Sequence, residues 1–213
     1  MTQLISKHGG YRELKSFQMA EIVYDLTFEF INRYVQFYKD REQMEGAARG
    51  GKQNIGEGSE TSGTSKQSEL RLVTVAKASL EELKLDYEDF LRKAKLPKWD
   101  KDDARALAVR KLAYAKNRSY QTYMSYLSQP ESAANCILTL VYQTKYLLDQ
   151  QIRALDKDLI KNGDFKDRYK EVRKNELLND GPPIDDFLKS QGLRRLENGR
   201  VVRLNDPEKF TDK

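Results

Sequence analysis

Apolar residues recur at about 3.6-residue spacing along most of the first 160 positions, which predicts a run of amphipathic helices. From Tyr11 to about Tyr38, Leu14, Phe17, Tyr24, Ile31, Tyr34 and Tyr38 share one broad face while Gln18, Glu21, Asp25 and Glu29 line the other, so this is a core-facing helix. Asp40 is placed to cap a second helix that runs through a Gly/Ala-rich stretch until the cluster SETSGTS breaks it. At about 100° per residue, Met44, Ala47, Ala48, Gly51, Ile55 and Gly58 of that helix fall within one narrow stripe. Its buried face is therefore made of small residues, and its partners approach closely. Gly46, Gly50 and Gly56 fall outside the stripe, beside Arg49 and Gln53, and each costs about 1 kcal/mol of helix propensity relative to alanine. The pattern predicts that the outer face also meets something at short range, a neighbouring subunit or a ligand. It marks Gly46, Ala47, Ala48, Gly50, Gly51, Gly56 and Gly58 as packing residues.

Ser65 or Thr64 caps a third helix, with Gln67 or Ser68 near the reciprocal position, and Leu70, Val73, Ala76, Leu80, Leu83, Tyr87 and Phe90 form its seam before Pro97 ends it. Asp100 or Asp102 begins the next helical segment, and Tyr114, Tyr120, Tyr123 and Tyr126 concentrate aromatic surface ahead of Pro130, open to two uses, packing or base stacking. From Glu131 to about Lys161 a long helix places Ala134, Ile137, Val141, Leu148 and Leu155 on one side.

After Gly163 the composition changes. Lys161 to Lys174 reads as a charged helix, GPP at 181–183 as a break, and IDDFLKSQG as a short helix closed by Gly192. Asn198-Gly199 then signals a type I′ hairpin that pairs Glu197 with Arg200 and Leu196 with Val201 and sets Arg194 opposite Arg203. An isolated two-stranded ribbon is marginal in water, so it docks or binds an anion that relieves the arginine repulsion.

Hydrophobic residues make up 38% of the 213 and charged ones 33%, a balance near the disordered border that the helical spacing turns into a solvated face. Cys136 is the only cysteine, which excludes an internal disulfide, fits a reducing compartment and, beside the apolar stripe, reads as packing. No apolar run approaches about 20 residues and MTQLISKHGG has no apolar centre, so the expectation is a cytoplasmic protein without a membrane partner. His8 is the sole histidine, which excludes a Ser/His/Asp triad, a HExxH site and a His/Cys metal cluster. Gly46 to Gln53 fits G-x-x-x-x-G-K, but Gln53 stands where a phosphate loop needs a hydroxyl, and no strand precedes it. The chain is therefore expected to be no enzyme and to use no cofactor and no metal.

What remains is positive charge, with net +5. Arg49, Lys52, Lys66 and Arg71 project from the second and third helices and Arg194, Arg195, Arg200 and Arg203 from the suffix. These are candidate phosphate contacts through counterion release, against the alternative of ordinary solubilising charge.

The order of residues over about 11–92 resembles the four-helix-bundle family of proteins encoded in 23S rRNA intervening sequences, which includes the accessory variability determinant of diversity-generating retroelements. The resemblance rests on Tyr11, Leu14, Phe17-Gln18-x-Ala20, Gln43, Ala47-Ala48, Asn54-Ile55-Gly56-Glu57-Gly58, Lys66, Ala76 and Ser79-Leu80-Glu81-Glu82-Leu83. It implies an all-α fold, an antiparallel up-down bundle over 1–162 with an insertion at about 97–130, and a C-terminal suffix over 163–213. It also implies a homo-oligomer, commonly a pentameric ring with a basic surface, that binds RNA or DNA or accompanies a reverse transcriptase. Where the family often carries two arginines before Ala-Ala, this chain has Glu45 and Gly46, with Arg49 and Lys52 following one turn later. The expectation is a non-enzymatic oligomeric scaffold that contacts nucleic acid or a nucleic-acid enzyme. The alternative is a protein-interaction module in which the charge is incidental.

Overall fold

The computed structural model describes residues 9–115, 118–179, 184–196 and 200–204. The arm carrying His8, the GPP break and the Asn198-Gly199 turn lie outside them. The described chain is mostly helical and divides into two units, one ending at Phe165 and one beginning at Lys166. The first holds α1 (Lys15–Tyr34), α2 (Tyr38–Thr61), α3 (Lys66–Lys93), α4 (Ala104–Leu112) and α5 (Pro130–Asn162), with 3-10 helices at Tyr11–Glu13 and Tyr120–Ser128. Among the described residues no helix is long and apolar enough to cross a membrane.

The first expected helix stops four residues early. Val35 and Phe37 are extended, Val35 is buried, and the Arg41 Nε donates to the Val35 carbonyl at 2.5 Å, so the chain turns there before α2 begins. Phe37, not Asp40, occupies the N-cap of α2 and makes no side-chain cap; Asp40 sits in the first turn, where its charge favours the positive end of the helix.

Gly46 to Gln53 lies inside continuous helix, and Met44, Ala47, Ala48, Gly51, Ile55 and Gly58 are buried as their spacing predicts. A Cβ on Gly51 would stand 2.6 Å from Leu80 Cδ2, and one on Gly58 would stand 3.4 Å from Leu72 Cβ, so these glycines bring α2 against α3. The expectation for the other glycines is corrected. A Cβ on Gly50 would meet Ser79 Oγ at 2.8 Å and one on Gly56 would meet Tyr11 and Phe17 at 3.7 Å, partners supplied by this same chain. Only Gly46 of that trio faces open space.

Ser65 caps α3 by accepting from the Ser68 amide, and Asp164 reinforces it, accepting from the Lys66 amide at 2.8 Å and from the Ser65 hydroxyl at 3.2 Å. Val73, Ala76, Leu80, Leu83 and Tyr87 are buried, and the Tyr87 hydroxyl donates to Thr27 Oγ1 at 3.0 Å. Phe30 of α1 gathers Tyr34, Tyr87 and Phe90 around it with ring centroids 4.8 to 5.4 Å away. α1 packs on α2 and α5, and α3 packs on the same two helices.

α5 matches its expected span, but its first half is buried on all sides from Ala133 to Val141 rather than along one stripe. The cause is the segment between α3 and α5. α4, capped by Asp103 rather than Asp100 or Asp102, packs on α5, as does the 3-10 helix with its buried Tyr123 and Leu127. The buried Asn135 side chain accepts from the Trp99 amide at 2.8 Å and donates to the Pro97 and Glu131 carbonyls at 2.9 Å, which fastens the incoming chain. Cys136 lies in this core, and burial pushes its thiol well above its usual range.

The second unit contains most of α6 (Phe165–Asn179), α7 (Ile184–Ser190), β1 (Leu193–Arg195) and β2 (Val201–Arg203). Gly192, at φ 70°, follows α7 as expected. The hairpin register is one residue away from the expected one: Leu193 faces Arg203, Arg194 faces Val202, and the Leu196 amide donates to the Arg200 carbonyl at 2.8 Å. Three residues, 197–199, therefore separate the pairs. The observed register takes Arg194 and Arg203 out of facing positions.

This packing sets the sign of three substitutions. Gly46→Ala, entering open space, is expected to raise stability by about 0.5–1 kcal/mol, whereas Gly51→Ala, driving into the buried Leu80, lowers it by about 1–3 kcal/mol in urea unfolding. Asp164 is buried, which opposes its charge, yet amide donors at Lys66, Phe165 and Gln67 and the Ser65 hydroxyl hold its carboxyl below the ordinary range. A depressed carboxyl contributes stability above the unfolded value of about 3.9 and loses it as pH falls through the folded value. Asp164→Ala should thus cost about 1–2 kcal/mol at pH 7 and progressively less in acid, as urea unfolding over a pH series would read.

Candidate functional site

The cations expected to bind phosphate do not form one cluster. Arg49 and Arg71 are exposed on α2 and α3. Since Gly51 meets Leu80 and Gly58 meets Leu72, Arg49 lies level with about position 81, which leaves Arg71 roughly 15 Å along the axis at about 1.5 Å per residue. Lys52 is half-buried with its Nζ 4.2 Å from the centre of the Tyr24 ring, and its charge bears on Asp25. Lys66 pairs with Glu69 at 3.1 Å and Asp158 at 3.9 Å. Arg194, Arg195, Arg200 and Arg203 belong to the hairpin of the second unit. Of the helix cations, then, Lys52 and Lys66 already serve their own chain.

A different group of cations converges. Where the segment between α3 and α5 crosses α1 and α5, it leaves a cleft of about 850 Å³. The cleft floor is Met19, Trp99, Ala106 and Leu138, all buried, and its rim carries Tyr114, Tyr142 and Tyr146, which are 84%, 46% and 63% exposed. Lys15, Lys98, Lys101, Arg110 and Arg118 line it against a single carboxylate among the described residues, Asp100.

The charges are not equally available. Lys98 pairs with Glu88 at 3.2 Å, and the Tyr142 hydroxyl donates to the same carboxylate at 2.9 Å; burial, then Glu88, pushes that hydroxyl up to about 12. Arg110 donates to the Lys101 carbonyl and Arg118 to the Gln18 side-chain oxygen at 2.8 Å, so both are positioned by neutral acceptors and keep their charge. Lys101 is 85% exposed and 3.9 Å from Asp102, a weak pairing. Two buried polar atoms here lack partners among the described residues, the Arg118 Nε donor and the Gln143 Oε1 acceptor. The Gln143 amide nitrogen points to the Arg110 carbonyl at 3.4 Å, which makes the oxygen its unpaired end.

Sequence reasoning passes over this site because its cations, taken singly, look like solubilising charge. One signal is present: Tyr142 and Tyr146 are four residues apart on the polar side of a helix whose apolar side is already filled. Within the aromatic segment Tyr123 is buried as packing, whereas Tyr114 stands exposed at the cleft rim. Among the described residues no group of His, Cys, Asp and Glu is arranged to hold a metal ion.

Trp99 is the only tryptophan and is anchored by the Asn135 side chain, with its Nε1 donating to Glu131 at 3.1 Å and the Arg105 guanidinium 4.6 Å from its ring centre. Asn135→Ala strands the Trp99 amide and the Pro97 carbonyl; the expected cost is about 1–3 kcal/mol with a red-shifted Trp99 emission, read by urea unfolding and fluorescence.

Comparison with protein-family models, with curated proteins and with solved structures gave no match to this chain.

Proposed function

We propose that α1, α2, α3 and α5 form an antiparallel up-down four-helix bundle, with the segment of about 97–130 inserted, that serves as a non-catalytic scaffold for single-stranded nucleic acid or an enzyme acting on it. Two ladders support the antiparallel reading: Gly51 to Leu80 and Gly58 to Leu72 step oppositely along α2 and α3, as do Lys77 to Asp149 and Glu81 to Lys145 along α3 and α5. The observation that carries the binding reading is the cleft, where cations held by neutral acceptors stand beside exposed tyrosines. Cations neutralise phosphates and release counterions, and aromatic faces stack unpaired bases without regard to sequence. Arg49 and Arg71 add exposed positive charge elsewhere, on α2 and α3, and self-assembly of the scaffold would multiply the total.

A second reading, a protein-interaction module, is favoured by Phe37 and Tyr38, which are 74% and 72% exposed. Phe37 borders a second cleft with Asp40, Asp86 and Asp89, and burial followed by repulsion from Glu82 and Asp40 pushes the Asp86 carboxyl up to about 6. That edge suits a cationic, apolar partner.

Gel shifts with single-stranded RNA and DNA over a salt series separate the two. Binding at low salt should weaken linearly in log–log form, and Lys15→Glu with Lys101→Glu should lower the slope by about 0.7 for each phosphate left without its cation. No shift at low salt moves the reading to the interaction module.

A further inference from the structure

We infer that the cleft between α1, α4 and α5 is a nucleotide pocket that takes one unstacked base against its tyrosines and the attached phosphate at its cationic rim. The inference rests on the nucleic-acid reading and names the unit recognised. The volume of about 850 Å³ lies within the range of small-ligand sites, about 300–1,000 Å³. The floor is apolar, which suits a flat ring and rejects a hydrated ion. The rim has Lys15, Lys101 and Arg110 on the side of positive charge and Asp100 alone against them, which suits an anionic group tethered to that ring.

The unpaired atoms narrow the class further. Arg118 Nε needs an acceptor and Gln143 Oε1 needs a donor; both atoms are closed to solvent just behind the cleft wall, so a ligand meets them when these two side chains turn into the cleft. An aliphatic carboxylate offers an acceptor and no donor. Every nucleobase presents both on its exposed edges, together with a π face for Tyr114, Tyr142 or Tyr146. Base and phosphate thus each find an exposed counterpart, and the mixed hydrogen-bonding edge finds one once the Arg118 and Gln143 side chains turn toward it. The same chemistry comes from two sources, a free nucleotide or an unpaired nucleotide within a strand.

Trp99 in the floor reports occupancy directly, because the chain has no other tryptophan. The full chain is titrated with the four ribonucleoside 5′-monophosphates, with inorganic phosphate and with single-stranded pentanucleotides, following Trp99 emission and calorimetric heat. Nucleotide or pentanucleotide should perturb Trp99 and bind more tightly than phosphate. Tyr146→Ala, at an exposed rim position, and Gln143→Leu, which removes the orphan acceptor, should each weaken binding about tenfold or more. Equal affinity for monophosphate and pentanucleotide assigns the site to free nucleotides; a strong preference for the pentanucleotide, lost in both variants, assigns it to strands. The pocket is overturned if no ligand perturbs Trp99, or if both variants, folded by circular dichroism, bind the pentanucleotide as the native chain does. Salt-dependent strand binding that survives this result leaves the scaffold reading intact, whereas absence of any strand binding at low salt removes both.

Discussion

The contact on which the first unit depends is the one between Gly51 of α2 and Leu80 of α3. A single added carbon at position 51 would overlap a leucine that has no exposed surface, so the separation of these helices is set by the absence of a side chain. Dispersion falls steeply with distance, and two helices this close gain attraction along their length. The glycines lower helix propensity, and the approach they permit offsets it. Gly58 repeats the arrangement farther along α2, against the start of α3, and Gly56 extends it on another side of α2 by admitting Tyr11 and Phe17. The glycine-rich helix is thus held by this chain on more than one face, and of its small residues only Gly46 meets nothing among the described residues of this chain.

The second constraint follows from α5. A helix buried on every side for nine residues, Ala133 to Val141, must be covered by more than its neighbours α1 and α3, and the segment between α3 and α5 supplies the cover. Asn135 is the polar residue that makes this possible. Buried among apolar groups, it satisfies both of its own functions by binding the chain at Pro97 and Trp99. The cover is incomplete beside α4, and the gap is the basic, aromatic cleft. The site is therefore a consequence of how the segment between α3 and α5 lies on α5, and its charge comes from residues on both sides of that gap.

Much of the architecture is legible in the residues. Ser65, the small stripe of α2, the span of α5 and Gly192 each carry a local signal with one physical meaning, and the structure agrees with them. Expectation and structure part where a local signal has two meanings. Asn-Gly serves hairpin loops of two or three residues, and one residue of slip exchanges the partner of every side chain. Gly50 and Gly56 lie off the apolar stripe, but a helix flanked on several sides has no single buried face. The cleft is hidden for a different reason. Lys15, Lys101, Arg118 and Gln143 are far apart in sequence, and only the fold of the segment between α3 and α5 brings them to one place.

The most direct measurement is a nuclear magnetic resonance titration of the full chain with a short single strand at low and moderate salt. The account predicts shifts concentrated at the Trp99 indole, the Gln143 side-chain amide and the arginines of the cleft, fading as salt rises. Shifts confined to the surface around Arg49 and Arg71, or to the hairpin arginines, would contradict it.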